Sequence, residues 1–204
     1  MLQCESTLTR MGTVTWNLER AVMDDDGVEL VRPDEGFRAS YLDALREYLA
    51  EGRTPARSEV IETEGFDQFV QQLLAMENPD SVPPGFVPQT MFWLVDRAGY
   101  IGRLSIRHEL NEWLRTIGGH IGYDIRPSRR REGMGRRQLE LGLVEARKLG
   151  LVRVLLTCDA DNVGSRKIIE GNGGVLEDEV IDPATGETKL RFWIDLPGIS
   201  HATS

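Results

Sequence analysis

Residues 120–135 run His120-Ile121-Gly122-Tyr123-Asp124-Ile125-Arg126-Pro127-Ser128-Arg129-Arg130-Arg131-Glu132-Gly133-Met134-Gly135, and the fold is decided there. A strand pattern passes through Pro127 into a basic, glycine-bearing turn. A helix pattern follows from about Met134 to Leu149, with Leu139, Leu143, Val144 and Ala146 available for packing and Gly150 at its end. Such a turn aims several free backbone N–H groups at one point, and the positive end of the helix dipole favours an anion there. Gly133 and Gly135 let main chain approach oxygen atoms closely, and the flanking arginines add charge-assisted bonds. The plain alternative is a shaped turn beneath a solvated arginine face, since short glycine motifs arise readily by chance. A dinucleotide fingerprint is disfavoured, because its third glycine would fall on Gln138.

Charge sharpens the contrast between this turn and the rest of the chain. From Arg126 to Arg137 there are six of the 24 Lys and Arg residues and one acid, Glu132, in a 204-residue chain of net charge −9. An acidic protein with one dense basic loop implies a local anion site and argues against a broad nucleic-acid face. Apolar residues make up 40% and charged residues 28%, which is ordinary for a globular domain, and no uncharged apolar run approaches a membrane span. The first 27 residues lack the basic start and apolar run of a secretory signal. The two cysteines, Cys4 and Cys158, are too few for a disulfide framework, so a soluble protein of a reducing cytoplasm is expected.

Outward from the turn, Val152 to Cys158 reads as a strand buried on both faces, so that strand, helix and strand form a crossover unit. Upstream, Ile117 to Ile125 is expected to be one strand. Met91 to Val95 and Tyr100 to Arg107 flank a short connection, Asp96 to Gly99, and form a hairpin. Downstream, a helix from about Val163 to Asn172 leads through Gly173-Gly174 into a last hairpin, Val175 to Ile181 and Leu190 to Leu196. Nearer the start, Val28 to Arg32 alternates as a strand, and Phe37, Tyr41, Leu45, Tyr48 and Leu49 recur at helical spacing within 35–50. Phe66, Phe69, Val70, Leu73 and Leu74 form a second helical stripe, and the proline-rich stretch Asn78 to Pro88 is a loop that could border a substrate entrance. One domain over 27–197 is expected, between loosely held tails at 1–26 and 198–204.

The quoted stretch resembles the signature of the GNAT superfamily of acyltransferases, in which a strand enters an R/Q-x-x-G-x-G/A loop. Arg130, Gly133 and Gly135 occupy the motif positions. Further on, Asn162-Val163-Gly164-Ser165 is similar to the family's N-x-x-S/A segment, and Gly173-Gly174 to its terminal K-x-G-F turn. Within the superfamily, Arg107 to Asn111 followed by Gly118 to Tyr123 resembles a branch of predicted bacterial acetyltransferases. The resemblance implies an α/β (α+β) GNAT fold, with a central mixed, mostly antiparallel twisted sheet of roughly six to seven strands flanked by about four helices. It also implies acetyl-CoA as the acyl donor, with no metal. Its pyrophosphate would lie on Arg130, Arg131, Gly133, Met134, Gly135 and Arg136, its pantetheine arm against Ile125 and nearby main chain, and further contacts on Asn162 and Ser165.

Transfer from a thioester to an amine needs a neutral nucleophile, a stabilised oxyanion and a proton for the leaving thiolate. His120 stands where many family members carry a strand glutamate, and a histidine suits proton removal at neutral pH. A structural histidine is the alternative. Glu109 and His108 follow as further base candidates. The family's tyrosine acid is replaced by Ile169, which leaves Tyr123 as a substitute acid, a core aromatic being its other reading, or a thiolate of pKa ~8.5 departing unaided. Cys158 reads as a small buried apolar residue before it reads as a nucleophile. Trp93, Trp113 and Trp193 read as anchors, with Trp113 in a connection that could cover the acceptor. The expected function is acetyl transfer to a primary amine, small molecule or peptide, of unidentified structure. A catalytically silent acyl-CoA sensor is the alternative. Acidic composition mildly favours a cationic acceptor, neither nucleic acid nor membrane is an expected partner, and a homodimer is compatible with the sequence.

Overall fold

The computed structural model describes residues 27–196, so both expected tails and the domain limit at 197 lie outside the described residues. In chain order the elements are β1 (Glu29–Val31), α1 (Arg38–Ala50), α2 (Glu59–Thr63), α3 (Phe66–Ala75), β2 (Gln89–Asp96), β3 (Gly99–Arg107), β4 (Ile121–Ile125), α4 (Met134–Lys148), β5 (Arg153–Asp159), α5 (Val163–Gly171), β6 (Val175–Ile181) and β7 (Thr188–Asp195). The first helical stretch opens as a 3-10 turn, Glu35–Phe37, because the Asp34 carboxylate accepts the Gly36 N–H at 2.8 Å. Only after Phe37 does the chain settle into α1.

Among the described residues there are seven strands, and every ladder is antiparallel. They divide into two sheets, ordered β1-β2-β3-β4 and β5-β7-β6, where one continuous sheet was expected. The join is local: the His120 N–H donates to the Leu155 carbonyl at 2.7 Å, and the Leu155 N–H returns to His120 Nδ1 at 2.8 Å. Gly119 permits this approach, since at φ +62° a Cβ there would stand 2.6 Å from the Leu155 oxygen. Past this contact β4 pairs with β3 and β5 with β7, so one edge of β4 faces a gap. The expected strand from Ile117 begins instead at Ile121. Leu114–Gly118 winds into a π-helical turn that buries Leu114 and Ile117 and is closed by the Gly119 N–H on the Leu114 carbonyl at 2.7 Å.

Two cores lie on opposite faces of the first sheet. On one face Phe92, Leu104 and Ile106 pack with Leu139 and Ala146 of α4, Ile169 of α5, and Leu156 and Phe192 of the second sheet. On the other, Met91, Trp93 and Val95 pack under Tyr41, Phe66, Phe69 and Leu73 from α1 and α3. Tyr41 stacks on Trp93 with ring centroids 5.1 Å apart. Burial of each such ring contributes on the order of 1.5–3 kcal/mol, enough to fix α1 and α3 over this face.

Candidate functional site

The gap beside β4 opens into a cleft of about 940 Å³ lined by Tyr123, Asp124 and Ile125 of the strand, the basic turn, and the first turns of α4 and α5. Arg107 N–H meets the His120 carbonyl, and Arg126 N–H meets the Ile101 carbonyl. By the alternation of an antiparallel ladder, even-numbered residues of β4 therefore face β3, and Tyr123 and Ile125 turn their main-chain groups to the gap. At the mouth of α4 the first intrahelical bond is Arg137 N–H to the Gly133 carbonyl, which leaves the N–H groups of Met134, Gly135 and Arg136 ahead of it. Gly133 takes φ +82°, and no atom lies within 4 Å of where its Cβ would be, so that side of the turn is open space. Gly135 serves differently. A Cβ there would come within 2.7 Å of Ile168 Cδ1, so its bareness seats α4 against α5.

The basic turn divides by partner. Arg126 pairs with Glu47, Arg129 with Asp96 and Glu132, and Arg130 reaches both carboxylate oxygens of Glu51 at 2.8 and 2.9 Å while its Nε donates to the Ile125 carbonyl. Burial raises the Glu47 carboxyl, but the bonds from Arg126 and Ser128 outweigh it and hold the group below its usual range. Arg126 and Arg130 clamp the turn to the end of α1, and Arg129 ties it to the end of β2. Among the described residues no carboxylate pairs with Arg131, Arg136 or Lys167, and all three line the cleft. Lys167 and Arg53 were missed by sequence reasoning. Lys167 could have been found, since it lies on the turn that follows Asn162 and Ser165, whereas Arg53, in the loop after α1, carries no pattern. Asn162 caps α5, its Oδ1 accepting the Ser165 N–H at 2.9 Å.

The catalytic candidates separate widely. His120 is 8% exposed, lines neither cavity, and its Nδ1 accepts the Leu155 N–H. Burial, helped by Arg115 and Arg107, lowers its pKa to about 4. With that lone pair occupied and the neutral ring favoured, the geometry matches the structural alternative. His108 Nε2 lies 2.8 Å from Thr90 Oγ1, Glu109 is exposed, and neither lines the cleft or the second cavity. Tyr123 does line the cleft. Its Oη sits 2.9 Å from Ser165 Oγ at the mouth of α5, and burial pushes the phenol up to about 12 against the opposing bond from Ser165. Ile169 is fully buried, and Cys158 is a buried thiol raised by desolvation. Trp93 is a core anchor, Trp193 packs under Arg153, and Trp113 is 58% exposed.

A second cavity, about 510 Å³, lies on the opposite face of the first sheet, under α3, the 85–87 loop and the connection at 111–114. Arg103, Ser105 and Arg107 of β3 project into it, and their β4 partners on this face are Asp124 and Gly122. Asp124 holds Arg103 Nε at 2.7 Å and accepts the Tyr48 hydroxyl at 2.7 Å. Gly122 offers no side chain there; a Cβ would stand 3.3 Å from Ser105 Oγ and 3.7 Å from Arg107. Asp124 lines the cleft while its partner Arg103 lines the cavity, which places the two spaces on either side of one strand.

Among the described residues no helix is long and apolar enough to cross a membrane, and no group of three or more His, Cys, Asp or Glu is placed to hold a metal. A family model described as an acetyltransferase (GNAT) domain matches residues 42–175. No curated protein matches the sequence. Among solved structures, an acetyl transferase of Salmonella typhimurium, described as modifying the N-terminal serine of a 50S ribosomal subunit protein, is 16% identical with a TM-score of 0.60, over 84% of this chain and 96% of that one. A spermidine N-acetyltransferase of Vibrio cholerae in complex with CoA and spermine is 15% identical with a TM-score of 0.58, over 84% and 97%. Mycobacterium smegmatis RimJ in complex with CoA-disulfide is 18% identical with a TM-score of 0.62, over 82% and 81%. At these identities the likeness is one of fold. The family match, in contrast, runs from within α1 to the first residue of β6 and includes the glycine turn and both walls of the cleft; the chain belongs to the GNAT acetyltransferase family.

Proposed function

We propose that the protein transfers an acetyl group from acetyl-CoA directly to an amine held in the second cavity. The observation that carries this is the glycine turn at the mouth of α4, opening onto a cleft in which Arg131, Arg136 and Lys167 lack carboxylate partners among the described residues. A pyrophosphate fits the N–H groups of Met134, Gly135 and Arg136, with Arg131, Arg136 and Lys167 supplying countercharge. The gap-facing main chain of Tyr123 and Ile125 suits the amide groups of a pantetheine arm. Bound acetyl-CoA supplies the acyl thioester. Tyr123, its phenol protonated at neutral pH and held by Ser165, would give a proton to a departing thiolate in the role that Ile169 cannot fill, a reading supported by its position in the lining of the cleft.

Binding without turnover is the second reading, favoured by the burial of Ile169 and by the engagement of His120 Nδ1. Thiol release and thermal stability separate the two. We expect acetyl-CoA to raise the melting temperature and to lose its thiol in the presence of a suitable amine. A melting shift with no amine-dependent thiol release across a broad amine panel would favour the sensor, and no shift at all would remove both.

A further inference from the structure

Building on the reading of the chain as an amine acetyltransferase, we propose that its acceptor is an amine bearing an anionic group, a carboxylate or a phosphate, on an apolar body, with Arg57 and Arg107 holding that anion. Three arginines line the second cavity, and among the described residues no Asp or Glu does. Arg103 is neutralised by Asp124. The other two are not. Arg107 spends one nitrogen on the carbonyls of Gly118 and Gly119 at 2.8 and 2.9 Å, and Arg57 meets the Gln72 amide oxygen at 3.1 Å and the Met76 sulfur at 3.2 Å. All are neutral acceptors, so two positive charges face one space without a counterion among the described residues. A withdrawn cation left in this state is costly unless a ligand supplies the opposite charge.

Backbone geometry marks Arg57 independently. Among the described residues, the two non-glycine residues with left-handed φ are Arg131, in the cofactor cleft, and Arg57, at 64°. Holding a long side chain there is strained, and such strain persists where the surrounding structure needs the side chain in that place. The remaining walls, Phe69, Leu73, Met91 and Trp93, with Phe86 and Trp113 exposed, suit an apolar or aromatic body. The same cations would repel a polyamine. They would also lower the pKa of an amine bound beside them, favouring the neutral nucleophile without a dedicated base.

Initial rates of thiol release at saturating acetyl-CoA test this with matched amines: phenylalanine against 2-phenylethylamine for a carboxylate, O-phosphoethanolamine against ethanolamine for a phosphate, and spermidine as a polycation. We expect the anionic member of at least one pair to have a kcat/KM about 30-fold higher, as for a charged hydrogen bond. Arg57→Gln should erase most of that difference through KM while leaving acetyl-CoA affinity unchanged, and Arg57→Glu should shift preference toward spermidine. Spermidine or the neutral amines being used as well as the anionic ones, or Arg57→Gln slowing both members of a pair equally, would overturn the inference. Benzoate and phenyl phosphate, titrated without acetyl-CoA and followed by amide chemical shifts, decide the matter separately from the acetyltransferase reading. Millimolar binding that Arg57→Gln abolishes supports the anion site even if acetyl-CoA fails to bind, and no binding of either probe contradicts it.

Discussion

The cleft beside β4 and the cavity across the sheet are both cationic spaces, but they are built by different means. The cleft draws on main chain: the N–H groups at the mouth of α4, the free edge of β4, and a glycine turn clamped to α1 through Glu47 and Glu51. The cavity draws on side chains brought from the α1–α2 loop, α3, β2, β3 and the 108–118 connection. A ligand common to a whole family can be held by backbone, which tolerates sequence change; a ligand particular to one member must be read by side chains. Arg131 and Arg57, one in each space, show the same local device of a left-handed backbone presenting a guanidinium.

The largest effect should come from striking the cleft alone. Replacing Arg131, Arg136 and Lys167 together by Glu removes three unpaired cations and adds three like charges to the phosphates, and at about 1.5–3 kcal/mol per charged bond a loss of over 1,000-fold in acetyl-CoA affinity is expected by titration calorimetry. Amide shifts on benzoate addition should stay unchanged in that variant; a parallel loss would show the two spaces to be one site.

The seam where the sheets part comes next. Because the folded pKa of His120, about 4, lies below the ordinary 6.5, the unfolded chain binds the proton more readily. The stability this residue contributes is complete above pH 6.5 and is lost as pH falls toward 4. The difference in unfolding free energy between wild type and His120→Gln should therefore shrink by about 2 kcal/mol from pH 7.5 to pH 5. A constant difference would return His120 to the list of titrating candidates. The smallest effect is expected for Tyr123→Phe, which keeps the ring on the core but removes the proton: kcat should fall about 10-fold with acetyl-CoA affinity unchanged, at the modest end for a lost general acid. An unaltered kcat would mean that the thiolate leaves unaided.

The same division explains what could be read from sequence. Gly133, Gly135, Asn162 and the strand before the turn follow local rules, since caps, turns and free amides depend on residues within one or two helical turns. The helical spacings on α1, α3 and α4 located the packed faces for the same reason, except that Leu49 and Val144, expected to pack, lie exposed at the margins of those faces. The two-sheet break was not legible, because it depends on a contact between His120 and Leu155, 35 positions apart, and on Gly119 allowing it. The arginine loop was legible as a charge cluster but not in its parts, because Glu47, Glu51 and Asp96, which claim three of its members, lie far away in sequence. His120 looked suited to catalysis from its residue type alone; where its ring nitrogen points is a tertiary fact. The 78–88 loop and Trp113, read from sequence as bordering an acceptor, do line the cavity, but its arginines had no sequence pattern, and net acidity pointed to a cationic acceptor although the local lining is basic.

Backbone amide shifts on titration with acetyl-CoA test the central claim most directly. The account predicts the largest changes at the N–H groups of Gly133, Met134, Gly135 and Arg136, with a second set at Tyr123 and Ile125 along the open edge of β4. Saturable binding that leaves those amides unmoved and shifts another part of the surface would contradict it.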